Sequence, residues 1–254
     1  MLMKNAVLPE VTFRVYPKKS APEWLVRKKN LFERRWNERR DGECLLRKIV
    51  KVCGLSYPGP IVNDGIRVNV IRHSVKKHGD SLGDTSPVEP NRISLYVRKA
   101  DTYANAKSTL CHELLHSLMW SKYYCDNRRK PVSFFADVFA DELITTLFEE
   151  AIAKGKLKKA HFKWALDYAV SETYARLRNL KRTNDYDELL KTIQKFYKEC
   201  KKSILCGSDI LKERERALHE ILSPIPLTLE KWRTRATHSQ RGRQLLKLIV
   251  KNNA

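Results

Sequence analysis

No stretch of the sequence approaches the 18 or more uninterrupted apolar residues that a membrane-spanning helix requires. The opening MLMKNAVLPEV also lacks the long apolar core of a signal peptide, so a cytoplasmic protein with no membrane partner is expected. Cysteine is sparse. The six present, Cys44, Cys53, Cys111, Cys125, Cys200 and Cys206, form no C-x-x-C pair, and reduced thiols in a reducing compartment follow. Gly and Pro number only 9 and 10 in 254 residues while 42% are apolar, which excludes collagenous, fibrous and wholly disordered chains and leaves enough material for a buried core. Acidic residues are also in deficit. Against 50 Lys and Arg stand 29 Asp and Glu, a formal net charge of +21, and after Glu230 no acidic residue remains while seven basic ones do. From Ala151 onward 24 basic and 11 acidic residues leave +13; the first 150 residues, with 26 and 18, leave +8. Such an imbalance favours polyanionic partners.

No internal repeat or low-complexity tract is visible, but the composition gives a coarse map. Residues 10–18, EVTFRVYPK, alternate as a strand. Ser20-Ala-Pro-Glu23 then offers a capping box, with Trp24, Leu25, Leu31, Phe32 and Trp36 at helical spacing behind it. The other side of that helix is basic, through residues such as Arg27, Lys28, Arg34 and Arg35. Residues 43–53 suggest a second helix stopped by Gly54, residues 54–65 a loop, and Ile66 to Val75 a strand with Ile66, Val68 and Val70 on one side. A further loop over 79–91 leads to a short strand, Ile93 to Val97, and then to a helix from Tyr103 to Tyr124. Beyond Pro131 nearly everything reads as helix, with breaks at Gly155, Thr183 to Asp185, Gly207 and Ser223 to Pro226.

Chemistry concentrates in the helix after the last strand, which reads Thr109-Leu-Cys-His112-Glu113-Leu-Leu-His116. The i, i+4 spacing puts both imidazoles on one helix face, where they can converge on a zinc ion, with Glu113 beside the open coordination position. Random placement of the histidines and glutamates would give about 0.013 such H-E-x-x-H motifs in the chain. In this role Glu113 is the general base for a metal-activated water that attacks a peptide carbonyl. Tyr123, Tyr124, His161, Tyr168 and Tyr174 are candidates, by residue type alone, to stabilise the developing oxyanion.

With this motif on a helix behind a strand, the chain resembles the zincin metallopeptidases. The likeness covers Asn91 to Trp120 well and Phe134 to Phe148 in part. It implies that the strand Ile93 to Val97 lines the cleft and pairs with an extended substrate. Residues 117–135 contain no histidine, which disfavours metzincin and SprT-like patterns. The segment Phe134-Phe-Ala-Asp-Val-Phe-Ala-Asp-Glu-Leu-Ile144 looks like the A-[ND]-x-F-A-x-E-L-L stretch of ImmA/IrrE-type and HtpX-type peptidases, in a gluzincin-like arrangement. In the preferred register this likeness makes Asp137 the third metal ligand and Asp141 the support of a ligand histidine. Asp141, Glu142 and a distant histidine such as His161 or His219 remain alternatives.

The expectation is therefore an α+β, zincin-like chain. Residues 1–130 form a small twisted sheet with the active-site helix, and residues 131–254 form a mostly helical half with the third ligand and a basic tail. The expected activity is zinc-dependent hydrolysis of a protein or peptide, with zinc on His112, His116 and Asp137 and with Glu113 catalytic. The rival expectation is a regulatory or structural protein that binds nucleic acid or nucleoprotein on the same scaffold, with weak or no proteolysis. For that reading the segment from Trp232, with Arg233, Arg235, Arg241, Arg243 and Lys247, supplies non-specific phosphate contacts.

Overall fold

The computed structural model describes residues 8–38, 40–55, 65–78, 81–86, 89–125, 134–155, 195–196, 199, 201–217 and 220, without the side chains of 121–125, 134–139 and 154. The chain divides into two compact units. One comprises Met1–Arg128 with Ile152–Lys154, the other Arg129–Ala151 with Gly155–Ala254.

The first unit is built on a four-stranded mixed sheet, which makes the molecule α+β. Strands β1 (Val11–Tyr16), β2 (Ile66–Arg72), β3 (Gly83–Ser86) and β4 (Glu89–Val97) lie in the order β1-β2-β4-β3. β1, β2 and β4 are parallel; β3 runs antiparallel to β4. Because side chains alternate along a strand, one face gathers Phe13, Ile66, Val68, Val70, Ile93, Leu95 and Val97, all buried. Helices α1 (Glu23–Glu38) and α4 (Tyr103–Cys125) pack on the sheet, and α2 (Asp41–Val52) packs on both helices.

Leu25, Phe32 and Trp36 are the buried stripe of α1, as their spacing predicts. Of its five cations, Lys28 donates through Nζ to the Asp101 carbonyl, and three are paired within the helix, as Arg27–Glu23, Lys29–Glu33 and Arg34–Glu38. Ser20 does not cap it. That residue belongs to a short 3-10 turn, Lys18–Ser20, and the helix starts at Glu23, with Pro22 oxygen accepting the first backbone N–H groups. α2 buries Leu45, Leu46, Ile49 and Val50 and ends before Gly54, whose φ of +61° is the left-handed conformation glycine takes without penalty. The ring of Trp36 stands edge-on to Phe13 at 5.9 Å and presses on Gly42, where an added Cβ would sit 2.2 Å from the indole.

The larger departure from the sequence reading lies in residues 79–91, expected as a loop. They contain β3 and the start of β4, with the short helix α3 (Val75–His78) preceding them. The sequence Gly-Asp-Thr-Ser of β3 has almost no strand-forming residue; pairing with β4 makes it a strand, an influence that local propensity does not carry.

In the second unit, helix α5 (Phe134–Lys154) has Ala140, Leu143, Ile144, Leu147 and Phe148 fully buried, and its last residues fall in the first unit. Gly155, at φ +65°, ends it. Residues 201–205 are helical, and a turn at Gly207 leads to α6 (Ile210–Ala217), whose first N–H groups at Leu211 and Lys212 donate to the Asp209 carboxylate. The expected breaks at Thr183 to Asp185 and Ser223 to Pro226 lie outside the described residues. So does the basic segment from Trp232.

Candidate metal centre

From Leu110 to Met119 every residue of α4 is buried, and Leu110, Cys111, Leu114, Leu115, Leu118 and Met119 are each at most 2% exposed. On the sheet this helix packs against β4 and β3, and its polar residues stand out. Ser117 anchors it by donating to the carbonyl of Pro90 at the start of β4. Within this apolar setting His112, Glu113 and His116 are also buried, at 7%, 6% and 3% exposure. Ionisable groups so placed are costly unless compensated, and they mark candidate functional sites.

The two imidazoles converge as the i, i+4 spacing requires. Nε2 of His112 and Nε2 of His116 are 3.1 Å apart, and the ring planes stand at 75° with centroids 4.8 Å apart. Trp120, one further turn along, stacks on His116 at 5.0 Å and limits its rotation. Tetrahedral zinc with bonds of about 2.0 to 2.1 Å to nitrogen holds two such atoms about 3.3 Å apart. The donor pair therefore fits a metal. The same separation suits an N–H···N hydrogen bond between neutral rings. Metal content distinguishes the two arrangements.

Glu113 lies against the start of β3. A Cβ added to Gly83 would sit 2.6 Å from Glu113 Oε1 and 2.9 Å from both its Cγ and Thr109 Cγ2, so only glycine leaves room for the carboxylate as it stands. Ser81 Oγ donates to the Gly83 carbonyl at 2.5 Å and fixes the strand's entry. This position corrects the expectation for the sheet edge. β4 cannot pair with a substrate along Ile93 to Val97, because β2 occupies one side of that stretch and β3 pairs with Ile93, Ser94 and Leu95 on the other. The end strand beside Glu113 is β3.

Of the acidic candidates, Asp137 lies on α5, with its side chain outside those described. Asp141 accepts a charge-assisted bond from Arg214 Nε of α6, with both side chains nearly buried. Glu142 is half-buried on the same helix, and Glu149 and Glu150 are buried. The side chains of Tyr123 and Tyr124, and all of His161, Tyr168, Tyr174 and His219, are outside the described residues. Cys44, Cys53, Cys111 and Cys206 are thiols; Cys111 is fully buried.

Two further groups of the first unit were not singled out by sequence reasoning. Tyr103, at the start of α4 and packed on Phe32, has its phenol pushed up to about 12 by burial, reinforced by the charge of Asp41. His78 stacks on Tyr96 with centroids 4.0 Å apart, and its Nδ1 accepts the N–H of Ser74 at 3.0 Å. Burial, with the neighbouring charges of His73 and Lys77, holds its imidazole below the usual range. Either group could have been found only with the tertiary contacts known.

Among the described residues no helix is long and apolar enough to cross a membrane. No family model, curated protein or solved structure matches the chain.

Proposed function

We propose that this chain is a zinc-dependent, zincin-like peptidase that hydrolyses peptide bonds in a protein or peptide substrate within a reducing, cytoplasmic compartment. The observation that carries the reading is the convergence of His112 Nε2 and His116 Nε2 to 3.1 Å on a buried helix that also holds Glu113. For the third ligand we favour Glu142 over the Asp137 of the sequence reading. Among the described His, Cys, Asp and Glu side chains, His112, His116 and Glu142 form the group able to offer one ligand atom each to a single ion.

A zinc ion held by these residues would supply a water of lowered pKa and polarise a substrate carbonyl. Everything else falls to side chains of the protein. His112 and His116, as neutral rings, present lone pairs in one direction, and the stacking of Trp120 keeps the second ring in place. Glu113 accepts the proton of the attacking water and returns it to the leaving amine. The apolar packing of α4 excludes bulk water from the proton's path and strengthens each of these interactions.

The test is hydrolysis of a denatured protein and a peptide library by the full-length chain. Activity should vanish with a zinc chelator, return when zinc is added, and be absent in Glu113→Gln at normal metal content. Chelator-insensitive hydrolysis, or a Glu113→Gln variant as active as wild type, contradicts the proposal.

A further inference from the structure

On the sheet face opposite α1 and α4, Arg14, Tyr16, Arg67 and Arg92 are exposed around a buried Asn69. Cross-strand register places Arg67 directly opposite Arg92, with Arg14 one pleat further along β1, and then aligns Tyr16, Ile71 and Tyr96 in the next row but one. The three arginines are exposed and line a concavity of about 470 Å³. Like charges directly opposed across two strands are destabilising in the free protein. Glu10 and Glu89 line the same concavity, but the Arg92–Glu89 pair, at 3.3 Å, is solvent-exposed and worth little. Arg14 and Arg67 have no ion-pair partner among the described residues.

Because β1, β2 and β4 are parallel, their C-terminal ends emerge together, and charge accumulates there. Residues 16–20, 71–78 and 96–101 contain seven Lys and Arg and one carboxylate, Asp101, whose Oδ2 is engaged by the backbone N–H of Arg98. Aromatic surface accompanies this charge. Tyr16 is 53% exposed, and Tyr96 carries the stacked ring of His78. Cationic side chains bordering exposed flat rings suit a flexible polyanion whose monomers also have flat faces.

We propose that this sheet face and the adjoining strand ends bind single-stranded nucleic acid. Lys76, Lys77 and Arg98 meet phosphates while Tyr16 and the Tyr96–His78 stack receive bases. Base stacking on an aromatic ring is independent of sequence and contributes roughly 5- to 150-fold in affinity per base, and the cations add a salt-dependent attraction. This surface lies on a different part of the first unit from His112 and His116, so the inference stands or falls independently of the peptidase reading.

The experiment is fluorescence anisotropy of the full-length protein with a labelled dT20 oligonucleotide over a salt series. Lys76→Glu with Lys77→Glu should weaken binding about tenfold or more and reduce the salt slope by about 1.4, near 0.7 per cation on a single strand. The same charge change on the exposed side of α2, Lys48→Glu with Lys51→Glu, should shift affinity by less than about threefold. Tyr16→Leu should weaken binding roughly fivefold or more with the salt slope unchanged, and Tyr16→Phe should restore it. Thermal melts matching wild type exclude unfolding as the cause, and the α3 and Tyr16 variants test the surface independently. The proposal is overturned by absent binding at low salt, by an equal loss in the α2 control, or by indifference to Tyr16→Leu. Competition by anionic phosphatidylserine vesicles, with no effect of Tyr16→Leu, would overturn it in favour of a lipid surface.

Discussion

His112 and His116 carry the argument at the scale of single residues, since four positions along a helix return a side chain to the same face and the structure brings their Nε2 atoms to 3.1 Å. This part of the site was legible because a helix has one period and the metal has few geometries. A third ligand on another helix depends on the approach of two elements, and no spacing within one segment encodes it. The preferred register selected Asp137 from motif likeness; its side chain lies outside those described, Asp141 is engaged by Arg214, and Glu142 is the ligand proposed in place of Asp137. The expected outcome is that Glu142→Gln lowers zinc affinity at least about 100-fold while Asp137→Asn leaves it within about tenfold, read by competition with a chromogenic chelator. The reverse order would reinstate Asp137.

At the scale of elements, α1, α2, β1, β2 and α4 follow from the sequence because apolar residues recur at the period each element needs. β3 does not, since it is a strand only by virtue of β4 beside it. That strand matters to the site. Placing a methyl at Gly83 would push on the end of the flexible Glu113 side chain and on Thr109, and not on a rigid core wall. Gly83→Ala is therefore expected to lower kcat of the proposed peptidase about tenfold or more while zinc content and thermal stability stay near wild type. Loss of stability with unchanged kcat would show that the glycine serves the fold alone. Gly42 gives the opposite case, because an added Cβ would meet the indole of Trp36, which is wedged against Phe13. Gly42→Ala should cost about 1 to 3 kcal/mol in denaturant unfolding. An unchanged midpoint would mean that Trp36 repacks freely.

For the whole molecule, a charge of +21 is an integrated property that composition states but cannot locate. Sequence reasoning assigned its functional part to the segment from Trp232. In the described first unit three of the five cations of α1 pair with its own three glutamates, whereas the strand ends carry seven cations against one carboxylate. The parallel register creates that contrast, because it brings together segments distant in sequence. The α+β class was legible from alternating strand and helix patterns; the sheet order β1-β2-β4-β3 was not, since strand neighbours depend on long-range pairing.

The central claim, that the buried H-E-x-x-H helix is a metal centre, is tested most directly by the metal content of the purified full-length protein beside His112→Ala and Glu113→Gln. The expected result is about one zinc per wild-type chain, its loss in His112→Ala, and its retention in Glu113→Gln, since the glutamate acts as a base and not as a ligand. A folded wild-type protein that contains no metal and takes up none from added zinc would contradict the claim, and would leave the 3.1 Å contact as a hydrogen bond between two neutral imidazoles.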